Sequence, residues 1–327
     1  MPSRRSQGAR SASCVLLLMF CVGCNQHSDE KYYLITANKQ VSYWQLARAG
    51  FNDAAAGMKI PVEFTGPDTY DPKAEQDAFQ RVVRTKPAGI LISPADPELL
   101  KADIDAAIAQ GIPIITIDSD SPASKRLLFI GTNNYQAGLM GGQAAAQALG
   151  GKGNVIVFTM PNQTNLSERL QGYRAALERS PGIKLARVVD IHGDPVVAFD
   201  TTQAAIDKRE AIDGYICLEA LAGKEVAAVL SQNHVTGKVV VAMDTDPDTI
   251  EWIRKGVIAA TIAQKPYTMA YFGLQLLDDL HHHRLPSLNS NWAQDTHSPL
   301  PAFVDTGATL IDRNNVNAFM QAQQRRQ

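Results

Sequence analysis

Cysteine is scarce in this chain. There are four, and Cys14, Cys21 and Cys24 lie within the first 24 residues. Only Cys217 remains in the body, which excludes an internal disulfide there. It sits in the apolar run Tyr215-Ile216-Cys217-Leu218 with no base nearby in the sequence, as a small buried hydrophobe does. A basic excess is also lacking: 31 Lys and Arg stand against 33 Asp and Glu, for a formal net charge of −2. No basic run exceeds Arg325-Arg326, so nucleic acid is not an expected partner. Long apolar runs are missing too. The longest, 15–22, falls well short of the roughly 20 residues that span a bilayer.

The usual enzyme motifs are equally absent. There is no Gly-x-Ser-x-Gly elbow and no Walker loop. Gly150-Gly151-Lys152-Gly153 precedes an apolar run instead of following one, and reads as a tight turn. Ala37-Asn38-Lys39-Gln40, after the first apolar run, is no dinucleotide fingerprint. Asp244-Thr245-Asp246-Pro247-Asp248 begins like a calcium loop, but Thr249 stands where glycine is needed and Lys255 where glutamate is needed. His281-His282-His283 suggests a metal at first sight. Adjacent helix residues point about 100° apart, so the run is read as a solvated helix end beside the negative helix terminus. No cofactor or metal is expected.

What is present is an ordinary globular balance, 45% hydrophobic and 20% charged, over 327 residues. That length suits about two domains. The start is a leader. Residues 1–13 carry Arg4, Arg5 and Arg10 and no acid; the apolar run follows, and Gly23-Cys24 leads into polar sequence. This is the pattern of a secretory signal. Val22-Gly23-Cys24 resembles the end of a bacterial lipoprotein signal, which implies removal of 1–23 and lipidation of Cys24 as the first mature residue. Without the leader arginines, 28 basic residues face 33 acids, about −5. The protein is expected in the periplasm or at the cell-envelope exterior, held there by a lipid anchor.

From residue 31 onward, short apolar runs alternate with amphipathic stretches. Strands are expected at 32–36, 62–65, 90–92, 112–117 and 128–130, with helices at 43–59, 71–84 and 98–110 between them. Asp71 and Pro72 supply a cap and a first-turn residue. The rhythm then restarts, with strands at 154–159, 185–191, 214–218, 239–242 and 260–263 separated by helices. Phe303-Val304 and 309–311 supply final strand material. Alternation of this kind predicts an α/β fold, two doubly wound parallel-sheet lobes. Ligands of such sheets sit beyond the carboxyl ends of the strands. The residues there are Ala37, Ser93, Asp118, Thr132, Thr159, Glu219, Asp244 and Gln264, a largely polar set.

Several of these lie in an ordered series: Tyr43-Trp44, Ile92-Ser93-Pro94-Ala95-Asp96, Ile112-Pro113-Ile114-Ile115-Thr116-Ile117-Asp118, Gly131-Thr132-Asn133-Asn134, Glu168-Arg169-Leu170-Gln171-Gly172-Tyr173 and Ala259-Ala260-Thr261-Ile262-Ala263-Gln264. The series resembles the periplasmic sugar-binding proteins of the ribose/galactose type, from Tyr32 to Phe319. These share a two-lobe core with lactose-repressor-like regulators, though no helix-turn-helix precedes Tyr32. The resemblance implies two discontinuous lobes, 31–132 plus 264–295 and 133–263 plus 296–327. They would be joined by three crossings, near 132–134, 263–265 and 295–299.

The resemblance further implies a monomeric, non-enzymatic protein. It captures a monosaccharide or related polar solute by hinge closure and passes it to the permease of an ABC importer. Sensing through a chemoreceptor or sensor kinase is the alternative. A more distant one is a glycoside-cleaving enzyme using two of Asp118, Glu219 and Asp244. Carried over by position, Tyr43 and Trp44 sandwich a sugar face. Asp118 and Asp244 accept from hydroxyls, Arg169 donates from the second lobe, and Gln264 sits on a hinge. Ser93, Thr132 and Asn134 are lining or hinge positions. Three places depart from the ribose binders: Ser119 replaces an arginine, Glu219 replaces an asparagine, and 37–41 lacks their serine and asparagines. The implied ligand therefore has a different hydroxyl pattern or bears an amino group.

Overall fold

The computed structural model describes residues 30–283, 291–292 and 295–324. The leader, Cys24 and part of the stretch 264–295 lie outside the described residues.

The first five strands, β1 (Tyr32–Thr36), β2 (Val62–Thr65), β3 (Gly89–Ser93), β4 (Ile114–Ile117) and β5 (Leu128–Gly131), form one parallel sheet in the order 2-1-3-4-5. The next five, β6 (Lys152–Thr159), β7 (Gly182–Asp190), β8 (Gly214–Cys217), β9 (Val239–Met243) and β10 (Ala260–Ala263), repeat that order in a second sheet as 7-6-8-9-10. Helices α1 (Ser42–Met58), α2 (Pro72–Arg84) and α3 (Pro97–Ala109) connect the first set. Then α4 (Asn134–Ala148) leads into the second, where α5 (Thr164–Leu177), α6 (Pro195–Asp207), α7 (Ala222–Gln232) and α8 (Pro247–Lys255) follow the strands. Finally α9 (Pro266–His282) returns to pack on α1 in the first lobe's core.

The strands are covered on both faces, which is why they read as unbroken apolar runs. β1, β3, β4 and β5 are buried along their whole length. Each lobe has its own apolar core. Several helix starts follow one recipe: an aspartate accepts a backbone N–H of the first turn and a proline follows it. Asp71, Asp96, Asp194 and Asp246 all do this. β4 begins at Ile114 instead of the expected Ile112. Pro113 has no N–H to give a sheet, and its carbonyl accepts from Ile90 at 3.0 Å.

The end of the chain differs from the reading of the sequence. β11 (Phe303–Asp305) pairs in parallel with β5, so it completes the first sheet. β12 (Thr309–Asp312) then pairs antiparallel with β10 in the second, before α10 (Val316–Gln324). The third crossing is therefore at 306–308, not 295–299, and the stretch 296–305 is not part of the second lobe. Thr306 holds the new corner, donating its N–H and its hydroxyl to the carbonyl of Gly131 at 2.8 and 2.9 Å.

Candidate ligand-binding cleft

In both sheets the order reverses around the first strand, and such switch points are where open α/β sheets bind ligands. The carboxyl ends of the two sheets face each other across one cleft. The space between them is about 630 Å³, part of it open to solvent.

Each lobe contributes an aspartate in the same way. Asp118 follows β4 and Asp244 follows β9, and both adopt a left-handed backbone, φ 62° and 65°. Asp118 N–H donates to the carbonyl of Ile130 on the neighbouring strand at 3.0 Å; Asp244 N–H donates to that of Ile262 at 2.9 Å. Aspartate tolerates this conformation better than most residues. It ends each strand while keeping the last sheet bond, and both carboxyl groups line the cleft.

Asp118 is buried, and both its oxygens are engaged. Tyr43 Oη donates to Oδ1 at 2.6 Å and Asn165 Nδ2 donates to Oδ2 at 3.1 Å. Asp244 Oδ1 accepts from Gln264 Nε2 at 3.0 Å. Glu219 sits at the entry to α7 and accepts from the backbone N–H groups of Leu221 and Ala222, at 2.6 and 2.8 Å. The three carboxylates share one cation, Arg169 on α5, which is 1% exposed. Its guanidinium donates to the Leu218 carbonyl, to Asn134 Oδ1 at 2.5 Å and to Gln264 Oε1 at 3.3 Å. Its Nε–H is buried without a protein acceptor.

Burial raises the pKa of every one of these acids. Asp244 and Glu219 are pushed up to about 7, against the pull of Arg169 and, at Glu219, of the two backbone N–H groups. Asp118 is also raised by burial, with Tyr43 and Arg169 opposing it. Burial, and then the Asp118 charge, drives the Tyr43 hydroxyl up, so it is a proton donor at any working pH.

Comparisons with known proteins identify the family and the fold. Residues 32–283 match the model of a periplasmic binding protein domain. The chain belongs to the periplasmic binding protein family. The D-allose-binding periplasmic protein of Escherichia coli is 24% identical over 260 residues, 76% of this chain and 84% of that one. An arabinose binding protein from Geobacillus stearothermophilus is 33% identical, with a TM-score of 0.72 over 89% of this chain and 99% of that one. The sugar-binding protein of a Bacillus halodurans sugar ABC transporter is also 33% identical, with a TM-score of 0.77 over 89% and 100%. These relatives are binding proteins, and this periplasmic binding protein is one too, not an enzyme. Among its described residues no helix is long and apolar enough to cross a membrane.

Within this periplasmic binding protein, eight of the residues singled out in the sequence line the cleft: Tyr43, Trp44, Ser93, Asp118, Arg169, Glu219, Asp244 and Gln264. Tyr43 and Trp44 meet edge to face, centroids 5.0 Å apart, so they do not form two parallel walls. Ser93 Oγ accepts the Ser119 N–H at 3.4 Å. Thr132 and Asn134 do not line the cleft. Thr132 is buried behind it, its carbonyl accepting from Asn134 Nδ2 at 3.0 Å, and Asn134 in turn positions Arg169. Sequence reasoning missed Asn165, which reaches across from α5 to Asp118, and Tyr70, which lines the cleft from the loop before α2. Asn165 lies four residues before Arg169, one helical turn away, and that spacing was its only signal.

Proposed function

We propose that this protein captures a monosaccharide or a closely related polyhydroxylated solute between its lobes and delivers it to the permease of an ABC importer. The observation that carries the reading is the convergence of carboxylates from both lobes on one cleft around Arg169. Neither lobe holds the set alone, so a ligand bridging Asp118 and Asp244 favours the closed form over the open one. Three carboxylates and one guanidinium call for a ligand that mostly donates hydrogen bonds. Hydroxyl groups do this, and an amino group in place of one would suit the negative balance. Charge-assisted bonds of this kind are about twice as strong as neutral ones. Tyr43, Trp44 and Tyr70 supply aromatic surface for the C–H face of a sugar ring.

The names of the relatives support the same reading, since they bind allose and arabinose or belong to sugar import systems. They do not favour the alternative of a chemoreceptor or sensor partner. The protein works outside the cytoplasm as a monomer, anchored by acyl chains on Cys24 that contribute about 0.8 kcal/mol per buried CH₂. The test is a thermal-shift screen of pentoses, hexoses, polyols and amino sugars, with mass spectrometry of whatever co-purifies. At least one sugar should raise the melting temperature by several degrees. Silence across all four classes would overturn the proposal.

A further inference from the structure

The histidine run at the end of α9 is not a simple solvated helix end. Only His283 fits that description, with Nδ1 turned to Asp279 at 3.0 Å on an exposed face. His281 and His282 both bring Nε2 to one atom, Oε1 of Glu30, at 3.6 and 3.3 Å. Their rings stand at 89° with centroids 5.3 Å apart, which lets two adjacent side chains reach one point. Asp278 completes the group. It lies at i−3 and i−4 from the two histidines, on the same helix face. Ligand atoms of Glu30, Asp278 and His282 all lie within 4.8 Å of one another. The cluster sits just before β1, at the amino end of the sheet and so at the opposite edge from the cleft.

The hydrogen bonding fixes which atoms face inward. His282 Nδ1 is 2.8 Å from the carbonyl oxygen of Asp278. A carbonyl can only accept, so Nδ1 carries the proton and the neutral ring presents a lone pair at Nε2. That lone pair faces a carboxylate oxygen, so a positive charge must lie between them. Either the ring takes a second proton or a metal ion is held there. Two ligands at about 2.0–2.1 Å from a tetrahedral ion stand about 3.3 Å apart, which is the separation of His282 Nε2 and Glu30 Oε1. Tyr32 Oη donates to Asp278 Oδ1 at 2.9 Å and orients that carboxylate. A backbone acceptor on the far ring nitrogen and a donor on the carboxylate are what metal-ligating residues commonly have.

We propose that Glu30, Asp278 and His282 bind a divalent transition-metal ion of the zinc class, clamping the start of the folded body to the end of α9. Mixed imidazole and carboxylate ligands suit zinc, and magnesium or calcium would prefer oxygen alone. The test is calorimetric titration of the full chain with Zn²⁺, after chelator treatment and with no polyhistidine tag. One equivalent should bind, and Co²⁺ should give the absorption of a tetrahedral site. His282→Ala and Glu30→Gln should each weaken Zn²⁺ binding at least tenfold, whereas His283→Ala should leave it unchanged. Mg²⁺ and Ca²⁺ should give no comparable heat. Absence of saturable Zn²⁺ binding, meaning the cluster holds only protons, would overturn the proposal. So would equal binding by the wild type and both Glu30→Gln and His282→Ala.

Discussion

Arg169 carries two roles that mutation separates from those of its neighbours. It is the only cation lining the cleft among the described residues, and it also donates to three protein acceptors, Leu218, Asn134 and Gln264. Arg169→Ala should therefore cost stability as well as binding. Removing one partner from a buried charge group typically costs about 3–5 kcal/mol, which denaturant unfolding of the ligand-free protein would read. Asp118→Asn should behave differently. It keeps the volume and an acceptor for Tyr43, but it sets an amide nitrogen against Asn165 Nδ2 and loses the charge on bonds to the ligand, worth about 1.5–3 kcal/mol. Calorimetry with the sugar selected by the screen should show roughly 10- to 100-fold weaker binding, with a smaller loss of stability than Arg169→Ala. The acids also set a pH dependence. Asp244 and Glu219 titrate at about 7 in the fold, above the ordinary values of 3.8 and 4.5. Between those limits the folded protein holds more protons than the unfolded chain, so stability falls as pH rises and levels off above 7. The ligand-free melting temperature should drop from pH 5 to pH 8, and Asp244→Asn should flatten the slope.

The placement of Arg169 is settled by two helices that touch backbone to backbone. A Cβ on Gly138 of α4 would stand 2.1 Å from the carbonyl oxygen of Arg169, and one on Gly172 of α5 would stand 2.1 Å from that of Tyr135. Both contacts involve main chain, which cannot swing aside. Gly138→Ala should push α5 outward, moving the guanidinium away from Asn134 and Gln264. The expected result is a loss of ligand affinity of at least tenfold with a drop in stability of about 1–3 kcal/mol, measured by calorimetry and urea unfolding. Helices and strands of this kind were legible in the sequence because apolar runs and their periodicity carry across long segments. The strand ends followed at once, and with them most of the cleft residues. Short elements were not legible. Phe303-Val304-Asp305 has no pattern that says which sheet it joins, so the third crossing was placed too early. The buried face of α1 is formed by Tyr43, Ala47, Gly50, Phe51, Ala54 and Ala55, and Trp44 is half-buried beside it at the cleft.

At the scale of the whole molecule, what remains invisible in the sequence is contact between lobes, because it depends on closure and not on any local signal. The closed arrangement is held across the cleft by a few polar bonds. Ser42 Oγ donates to Asp246 Oδ2 at 2.9 Å, Thr164 Oγ1 donates to the Asp120 carbonyl at 3.0 Å, and Asn165 donates to Asp118. Beside them Gly193, from the loop before α6, fits against Tyr70. Gly193 has φ 72°, and a Cβ there would lie 2.3 Å from the Cβ of Tyr70. An added methyl group is therefore opposed by both the backbone conformation and the opposite lobe. It would disfavour closure while leaving both cores intact. Gly193→Ala should lower ligand affinity by at least tenfold, and small-angle scattering should no longer show the compaction that ligand produces in the wild type. The second substitution Tyr70→Gly removes the colliding atoms and should restore part of that compaction. Full closure by Gly193→Ala alone would mean that the two lobes do not meet at this point when they hold their ligand.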